Sequence, residues 1–303
     1  KLSSVAFIEP PKVHQVHSSD EGTIKYVIEL NSGSMVEMVI IPEKNRRTLC
    51  VSSQAGCALQ CTFCATGAQG FDQNLESHEI IGQLWLANFN QNNTKPITNV
   101  VFMGMGEPLL NYDSVIESAK IMKDQLSYGL SRKRITISTS GIVPNINKLS
   151  KEIDVSLAIS LHAAEDNLRN EIVPINKKYP IKSLIKACKE YLNYFDNKRN
   201  ITIEYILIDG INDSIEHAKK LTKLLSDISC KINLIPFNSF TGSDYKRPSN
   251  NKIDEFKKYL MSKGFIATLR ITRGDGVDAA CGQLVGNLSN TIKGKNSISH
   301  KSI

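Results

Sequence analysis

Three cysteines stand close together as Cys57-x3-Cys61-x2-Cys64, directly after a β-branched run. Thiolates hold iron–sulfur clusters, ordinarily four to a cubane. A triplet leaves one iron of a 4Fe-4S cluster open. S-adenosylmethionine (SAM) can chelate that iron through its amino and carboxylate groups. A reduced cluster can then break the sulfonium bond and release a 5′-deoxyadenosyl radical. In such a site the cofactors carry the hard chemistry and the protein positions them. The competing reading is a structural zinc site, which wants a fourth Cys or His at a regular spacing. No second CxxC is present, and His78 lies inside a helical pattern.

The elements needed to position such a site are legible as alternation. Thr48–Ser53, Ile97–Met103, Arg134–Thr139, Val155–Leu161, Ile201–Ile208, Lys231–Pro236 and Phe265–Ile271 read as strands. Amphipathic stretches near 77–90, 113–126, 144–151, 181–195, 214–226 and 249–262 read as helices between them. Alternating strands and helices argue for a parallel sheet, and six or more units suit a barrel. The expected fold is α/β, a partial (βα)6 TIM-like barrel. Ahead of it, Ile24–Leu30 and Met35–Ile41 flank Asn31-Ser32-Gly33, a hairpin signal. The division expected is a β extension over 1–45, a catalytic domain over 46–287 and a fraying tail over 288–303. Polar candidates follow successive strands: the cysteine triplet, Gly106 and Glu107, Ser138, Ser160-Leu161-His162, Asn238 and, last, Cys281. In a β/α barrel those points share the face that carries the active site. The glycines around Glu107 are expected to let backbone approach a ligand. Glu107 is expected to accept a hydrogen bond from an ammonium group.

Composition narrows the setting. The chain has 303 residues, 41% of them hydrophobic, and a net charge of +7. That balance suits a polyanionic partner. Seven cysteines, an odd number, with no export signal, do not make a disulfide scaffold and fit a reducing cytoplasm. Cys188 and Cys230 read as buried apolar thiols. Arg46, Arg47, Arg132, Lys133, Arg134, Arg270 and Arg273 are candidates to grip RNA phosphates.

The wider stretch from Cys50 to Gly67 resembles the RlmN/Cfr family of radical SAM RNA adenine methyltransferases. So do GMGEPLLNYD (104–113), STSGIVP (138–144), SLHA (160–163), EIVPIN (171–176), KINLIPFN (231–238) and DAACGQL (278–284). The likeness runs from about residue 20 to 286 and keeps the family's order. It implies a radical SAM core in which Cys57, Cys61 and Cys64 hold a 4Fe-4S cluster. It implies SAM contacts from Gly106, Glu107, Ser138, Ser160, Leu161, His162 and Asn238. It also implies that Cys281 is methylated on sulfur and that Cys50 later forms a disulfide with it. Glu37, an exposed strand glutamate by sequence alone, matches a family position proposed as proton acceptor.

These roles make chemical sense together. Adenine C2 is too weak a nucleophile to attack SAM, whereas a thiolate can take a methyl by displacement. A radical drawn from that S-methyl group can add to the ring carbon. A base then removes the ring proton, and Cys50 releases the product by attacking the sulfur of Cys281. The resemblance implies C2 methylation of an adenine in 23S rRNA and of the adenine beside the tRNA anticodon. An electron donor such as flavodoxin, a monomeric state and a cytoplasmic location complete the expectation. Full-length members are expected to carry a further N-terminal helical domain that helps hold RNA. Two alternatives stay open: C8 methylation of the same rRNA adenine, and a non-catalytic, zinc-stabilised RNA-binding module.

Overall fold

A computed structural model describes residues 10–89, 95–195, 199–270 and 283–284. Among these, ten strands form one sheet. It opens with an antiparallel meander of β1 (Lys12–Ser18), β2 (Ile24–Glu29) and β3 (Met35–Glu43), which pairs with β4 (Arg46–Cys50). From β4 the sheet is parallel, through β7 (Asn99–Phe102), β8 (Ile135–Thr139), β9 (Ser156–Ser160), β10 (Ile201–Leu207), β11 (Cys230–Pro236) and β12 (Ile266–Leu269). A small ribbon, β5 (Gln54–Gly56) with β6 (Phe71–Asn74), brackets the cysteine loop.

The crossovers are α2 (Ser77–Phe89), α3 (Tyr112–Lys123), α4 (Val143–Glu152), α6 (Ile181–Tyr194), α7 (Ile215–Leu224) and α8 (Asn250–Ser262). Six strand–helix units and a final strand make the expected partial barrel. Each helix turns an apolar stripe to the sheet. In α6 the buried residues are Ile181, Leu184, Ala187, Cys188, Tyr191 and Leu192, spaced by three and four as one helix face requires. The sequence also marks where α7 begins: Ser214 accepts from the His217 N–H, and the His217 ring returns to the Ser214 backbone. Two short helices were not anticipated, α1 (Ala65–Gln69) and α5 (Asp166–Ile172). Nor was β1, whose sequence KVHQVHS lacks an apolar face because it is a largely exposed edge.

Candidate active site

The cysteine loop is fixed from both sides. Ser52 exchanges two backbone hydrogen bonds with the buried Gln83 side chain, each 2.9 Å. Asn111 Nδ2 donates to the carbonyls of Ser53 and Leu75 at 2.8 and 2.7 Å. Gln54 Nε2 donates to Asn74 Oδ1, and Gln54 Oε1 accepts from the Glu107 N–H, both at 2.8 Å. Gly56 sits at φ 75°, where an added Cβ would meet the Gly70 carbonyl oxygen at 1.9 Å. That contact forces glycine immediately before Cys57. None of these supports carried a chemical signal in the sequence, because amides bonding to backbone look like ordinary polar residues.

At the C-terminal ends of the parallel strands lies a cavity of about 950 Å³ including its open mouth. Cys57, Cys61 and Cys64 line it, together with Gly106, Glu107, Ser138, Ser160 and His162. The structure thus brings together eight of the sequence candidates. Burial pushes the Cys57 thiol up to about 12, and burial with Cys64 and Cys57 nearby pushes Cys61 well above its ordinary value. Buried thiols of this kind give up their protons only to a positive partner. Among the described residues no three His, Cys, Asp or Glu side chains converge where a single metal ion could sit. Three thiols lining one cavity are the donor set that a 4Fe-4S cluster with one open iron requires.

Glu107 is buried beside the thiols. Its Oε2 accepts from the Ser140 N–H at 2.7 Å and its Oε1 from the Leu109 N–H at 3.0 Å. Burial raises its pKa, and those two N–H groups oppose the rise. The carboxylate joins the second and third strand-end loops and retains lone pairs for a ligand. Gly106, at φ 98°, answers a different demand from the one expected. An added Cβ would meet Gln54 at 2.5 Å, so the close approach is to the chain's own cysteine-side loop.

His162 holds an unusual backbone, φ 61°, compensated by two bonds. Its Nδ1 accepts from the Ile206 N–H at 3.0 Å, and its carbonyl accepts from Asn212 Nδ2 at 2.9 Å. Its ring packs edge-on to Phe63, centroids 4.7 Å apart. Burial, then the Arg169 charge, lower its pKa to about 3, so it is a neutral imidazole. Arg169, fully buried, donates to the carbonyls of Leu161, Ser140 and Ser160 at 2.9, 2.6 and 3.1 Å and to Asn176 Oδ1 at 2.8 Å. It therefore knots two strand-end loops. Leu161 itself is buried in the core and is not among the cavity-lining residues; its N–H donates to the Glu204 carbonyl at 3.1 Å, and its carbonyl accepts from Arg169 and from the Ala163 N–H.

On the opposite wall the sequence points to Ser160 but not to Glu204, Asn233 or Thr268. Ser160, Glu204, Asn233 and Thr268 stand in register across β9, β10, β11 and β12. Asn233 Nδ2 donates to Glu204 Oε2 at 2.7 Å, and Thr268 donates to Asn233 Oδ1 at 3.1 Å. Glu204 lines the cavity with Arg270; burial raises its pKa, opposed first by the Arg270 charge. The signal available was alternation: these polar residues sit one per strand where a wholly buried parallel strand would be apolar.

Other candidates fall elsewhere. Asn238, half-buried after β11, is not among the cavity-lining residues. Cys50 is buried at the end of β4, also outside the lining set. Its register partner Val101 pairs with Thr136, two residues before Ser138, so Cys50 lies on the sheet face that the cavity uses. Glu37 is wholly buried, against the expected exposure, because β3 is an interior strand flanked by β2 and β4. Cys281 and Arg273 lie outside the described residues. Cys188 is buried as expected, and Cys230 is partly buried. Arg132 and Arg134 precede β8 and so stand at the end of the barrel away from the cavity. There Arg132 approaches Asp154 at 3.9 Å and Arg134 donates to the Thr98 carbonyl at 3.1 Å. Arg46 pairs with Glu43 at 2.6 Å and Arg47 bonds the Lys95 carbonyl, again at strand-start positions. Of the basic residues proposed to meet RNA, Arg270 reaches the cavity.

The family model of the radical SAM superfamily matches residues 51–222. The chain is 56% identical over 298 residues to a dual-specificity RNA methyltransferase RlmN of Pseudomonas putida, covering 97% of this chain and 78% of that protein. A Pseudomonas fluorescens protein of the same name is 54% identical over 293 residues, covering 95% and 77%. A crystal structure of a radical SAM methyltransferase from Sphaerobacter thermophilus superposes with a TM-score of 0.89 at 40% identity, covering 94% of this chain and 84% of that one.

Proposed function

The chain belongs to the RlmN dual-specificity RNA methyltransferases of the radical SAM superfamily, and from that membership we propose that it methylates C2 of an adenine in 23S rRNA and of the adenine beside the anticodon in tRNA. The observation that carries the reading is the shared cavity: three thiols, Glu107, Ser138, Ser160 and His162 converge there from successive strand ends. When bound, a 4Fe-4S cluster and SAM supply a 5′-deoxyadenosyl radical. Cys57, Cys61 and Cys64 hold the cluster. Glu107 receives the SAM ammonium on lone pairs left by Ser140 and Leu109. Ser138, Ser160 and His162 would orient the rest of SAM, and Leu161 and Asn238, which stand outside the cavity lining, would join them through the loops after β9 and β11. The apolar rings and buried carboxylates of the wall exclude water from a reactive intermediate.

Cys281 carries the methyl group on sulfur to the base, Glu37 takes the ring proton, and Cys50 attacks the sulfur of Cys281, so that the S–S bond forms as the S–CH2 bond breaks and the freed carbon takes up a proton to leave a methyl group on the base. An external reductant resets that disulfide and an electron donor such as flavodoxin serves the enzyme, which works as a cytoplasmic monomer. Residues 1–45 act as an extension of the 46–287 catalytic domain, with 288–303 as its tail. Among the described residues no helix is long and apolar enough to cross a membrane. The C8 alternative is not favoured by relatives named as dual-specificity enzymes. Mass analysis of nucleosides from RNA treated with the reconstituted protein tests the reading: 2-methyladenosine is expected, and 8-methyladenosine or unmodified RNA would overturn it. Cys50→Ala should stop at a covalent protein–RNA adduct through Cys281; full turnover by that variant would remove Cys50 from the scheme.

A further inference from the structure

The meander β2–β3 is apolar almost throughout. Tyr26, Val27, Ile28, Val36, Met38, Val39 and Ile40 are all buried. Two charged side chains are buried within it. Lys25 Nζ lies 3.2 Å from Glu37 Oε1, with the side chains 3% and 1% exposed. Two charges removed from water cost more than an apolar pair of the same shape, so stability alone does not explain this pair. A local rule broken inside an otherwise consistent element points to function.

Register says where the pair looks. Lys25 is opposite Val39, and Val39 is opposite Cys50. Opposed residues on neighbouring strands project to one face. Lys25, Val39 and Cys50 therefore form a row, with Glu37 diagonal to Lys25 on the same face. The row continues through Val101 and Thr136 toward the cavity wall at Ser138. The backbone of Glu37 is held as well. Its N–H donates to Met105 Sδ at 3.4 Å, and its carbonyl accepts from Ser52 Oγ at 2.5 Å. Ser52 precedes the cysteine loop and Met105 belongs to the loop after β7 that carries Glu107. Lys25 from β2 pairs with Glu37, and Cys50 from β4, opposite Val39, lies on the same face.

We propose that Lys25 is a positioning residue that keeps the Glu37 carboxylate ionised and fixed on the sheet face of Cys50, ready to receive a proton. The inference rests on the reading of Glu37 as proton acceptor. A carboxyl buried this deeply without a cation takes up a proton near neutrality and can accept no second one. The proton gained by Glu37 comes from the base being released.

The experiment measures release of methylated RNA in single turnover, from neutral to alkaline pH, for the wild type, Lys25→Met, Lys25→Arg and Glu37→Gln, with iron content as the check on folding. Lys25→Met should slow release about tenfold or more at neutral pH and recover as pH rises, its acidic limb displaced upward by about one unit or more. Lys25→Arg should follow the wild type. A Lys25→Met profile lowered equally at every pH, or unchanged, overturns the proposal. Glu37→Gln at wild-type rate overturns the proton-acceptor reading itself, whereas a dead Glu37→Gln beside an unaffected Lys25→Met overturns the role of Lys25 alone. Should Lys25→Met fail to fold, infrared difference spectra of wild type against Glu37→Gln, taken on the cluster-free protein, decide the matter. An ionised Glu37 at neutral pH upholds the proposal and a protonated one defeats it.

Discussion

The two ends of the parallel strands use polar residues in opposite ways. At the C-terminal end, Glu107, His162 and Arg169 are buried and bonded mainly to backbone of neighbouring loops. At the N-terminal end, Arg132, Asp154 and Arg199 meet each other in partly exposed ion pairs. A buried group satisfied by backbone fixes a loop in one geometry. A solvated pair adds little energy and little precision. The sharp division between the ends is therefore a division between positioning and surface electrostatics, and substitutions at each should differ accordingly.

The largest effect belongs to the thiols. Cys57→Ala, Cys61→Ala and Cys64→Ala are each expected to abolish bound iron and sulfide, with methylation lost entirely. Colorimetric iron and sulfide after anaerobic reconstitution check this. Wild-type contents in all three variants would return the triplet to an incidental role.

Much of this end was readable before any coordinates. Helix α6 was legible because its stripe repeats at three and four, and the strand candidates agreed with β8 and β10 to within a residue or two. The cysteine spacing named its own chemistry. What stayed hidden depends on neighbours. Glu37 looked solvated because a single strand does not reveal that it will lie between two others. Arg132 and Arg134 looked available to RNA because charge carries no address, although their place before β8 already assigned them to the far end. Gln83, Asn111 and Arg169 gave no signal, since their partners are carbonyls distant in sequence.

Arg169 comes next in size. Arg169→Met keeps the length of the side chain and removes a donor from four acceptors: the carbonyls of Ser140 and Ser160 and Asn176 Oδ1, and the Leu161 carbonyl, which keeps the Ala163 N–H. Unsatisfied buried acceptors cost about 1–3 kcal/mol each, though not additively. Destabilisation on the order of 3 kcal/mol is expected in denaturant unfolding. SAM affinity should fall as the loops that Arg169 ties drift apart. A loss below about 1 kcal/mol would show that the knot is not needed.

His162 gives a pH-dependent effect of intermediate size. Its folded pKa lies near 3, below the ordinary 6.5. Between those values the unfolded chain binds a proton that the folded one refuses, so stability falls as pH drops through that window. The slope contributed by one such group is at most about 1.4 kcal/mol per pH unit. His162→Asn keeps an acceptor for the Ile206 N–H and removes the titration. Melting temperatures at pH 7 and pH 5 should therefore differ less for His162→Asn than for the wild type. Equal differences would mean that His162 is protonated in the fold.

The smallest effect is expected at the other end, and it is the one that most sharpens the contrast. Asp154 meets Arg199 through two oxygens, at 2.6 and 2.8 Å, and that geometry invites a large estimate. Exposure argues otherwise: the Asp154 side chain is 36% accessible and the Arg199 side chain 16%. Asp154 Oδ1 and Arg199 Nη1 are themselves shielded, but the rest of the Asp154 side chain stays hydrated, so water and salt screen the pair in part, and both partners lose rotamer freedom to form it. Arg199 also has a second anchor, its guanidinium lying 3.3 Å over the Phe195 ring, and that contact survives loss of the carboxylate. The Asp154 carbonyl that accepts from Lys123 Nζ at 2.8 Å is backbone and survives as well. Asp154→Asn should thus cost about 0.5–1 kcal/mol, shrinking further in high salt, with SAM binding and cluster content unchanged. Unfolding at low and high ionic strength, beside calorimetric SAM titration, reads both halves. A loss matching that of Arg169→Met, or weakened SAM binding, would mean that the far end positions the site as well, and the division between the two ends would fail.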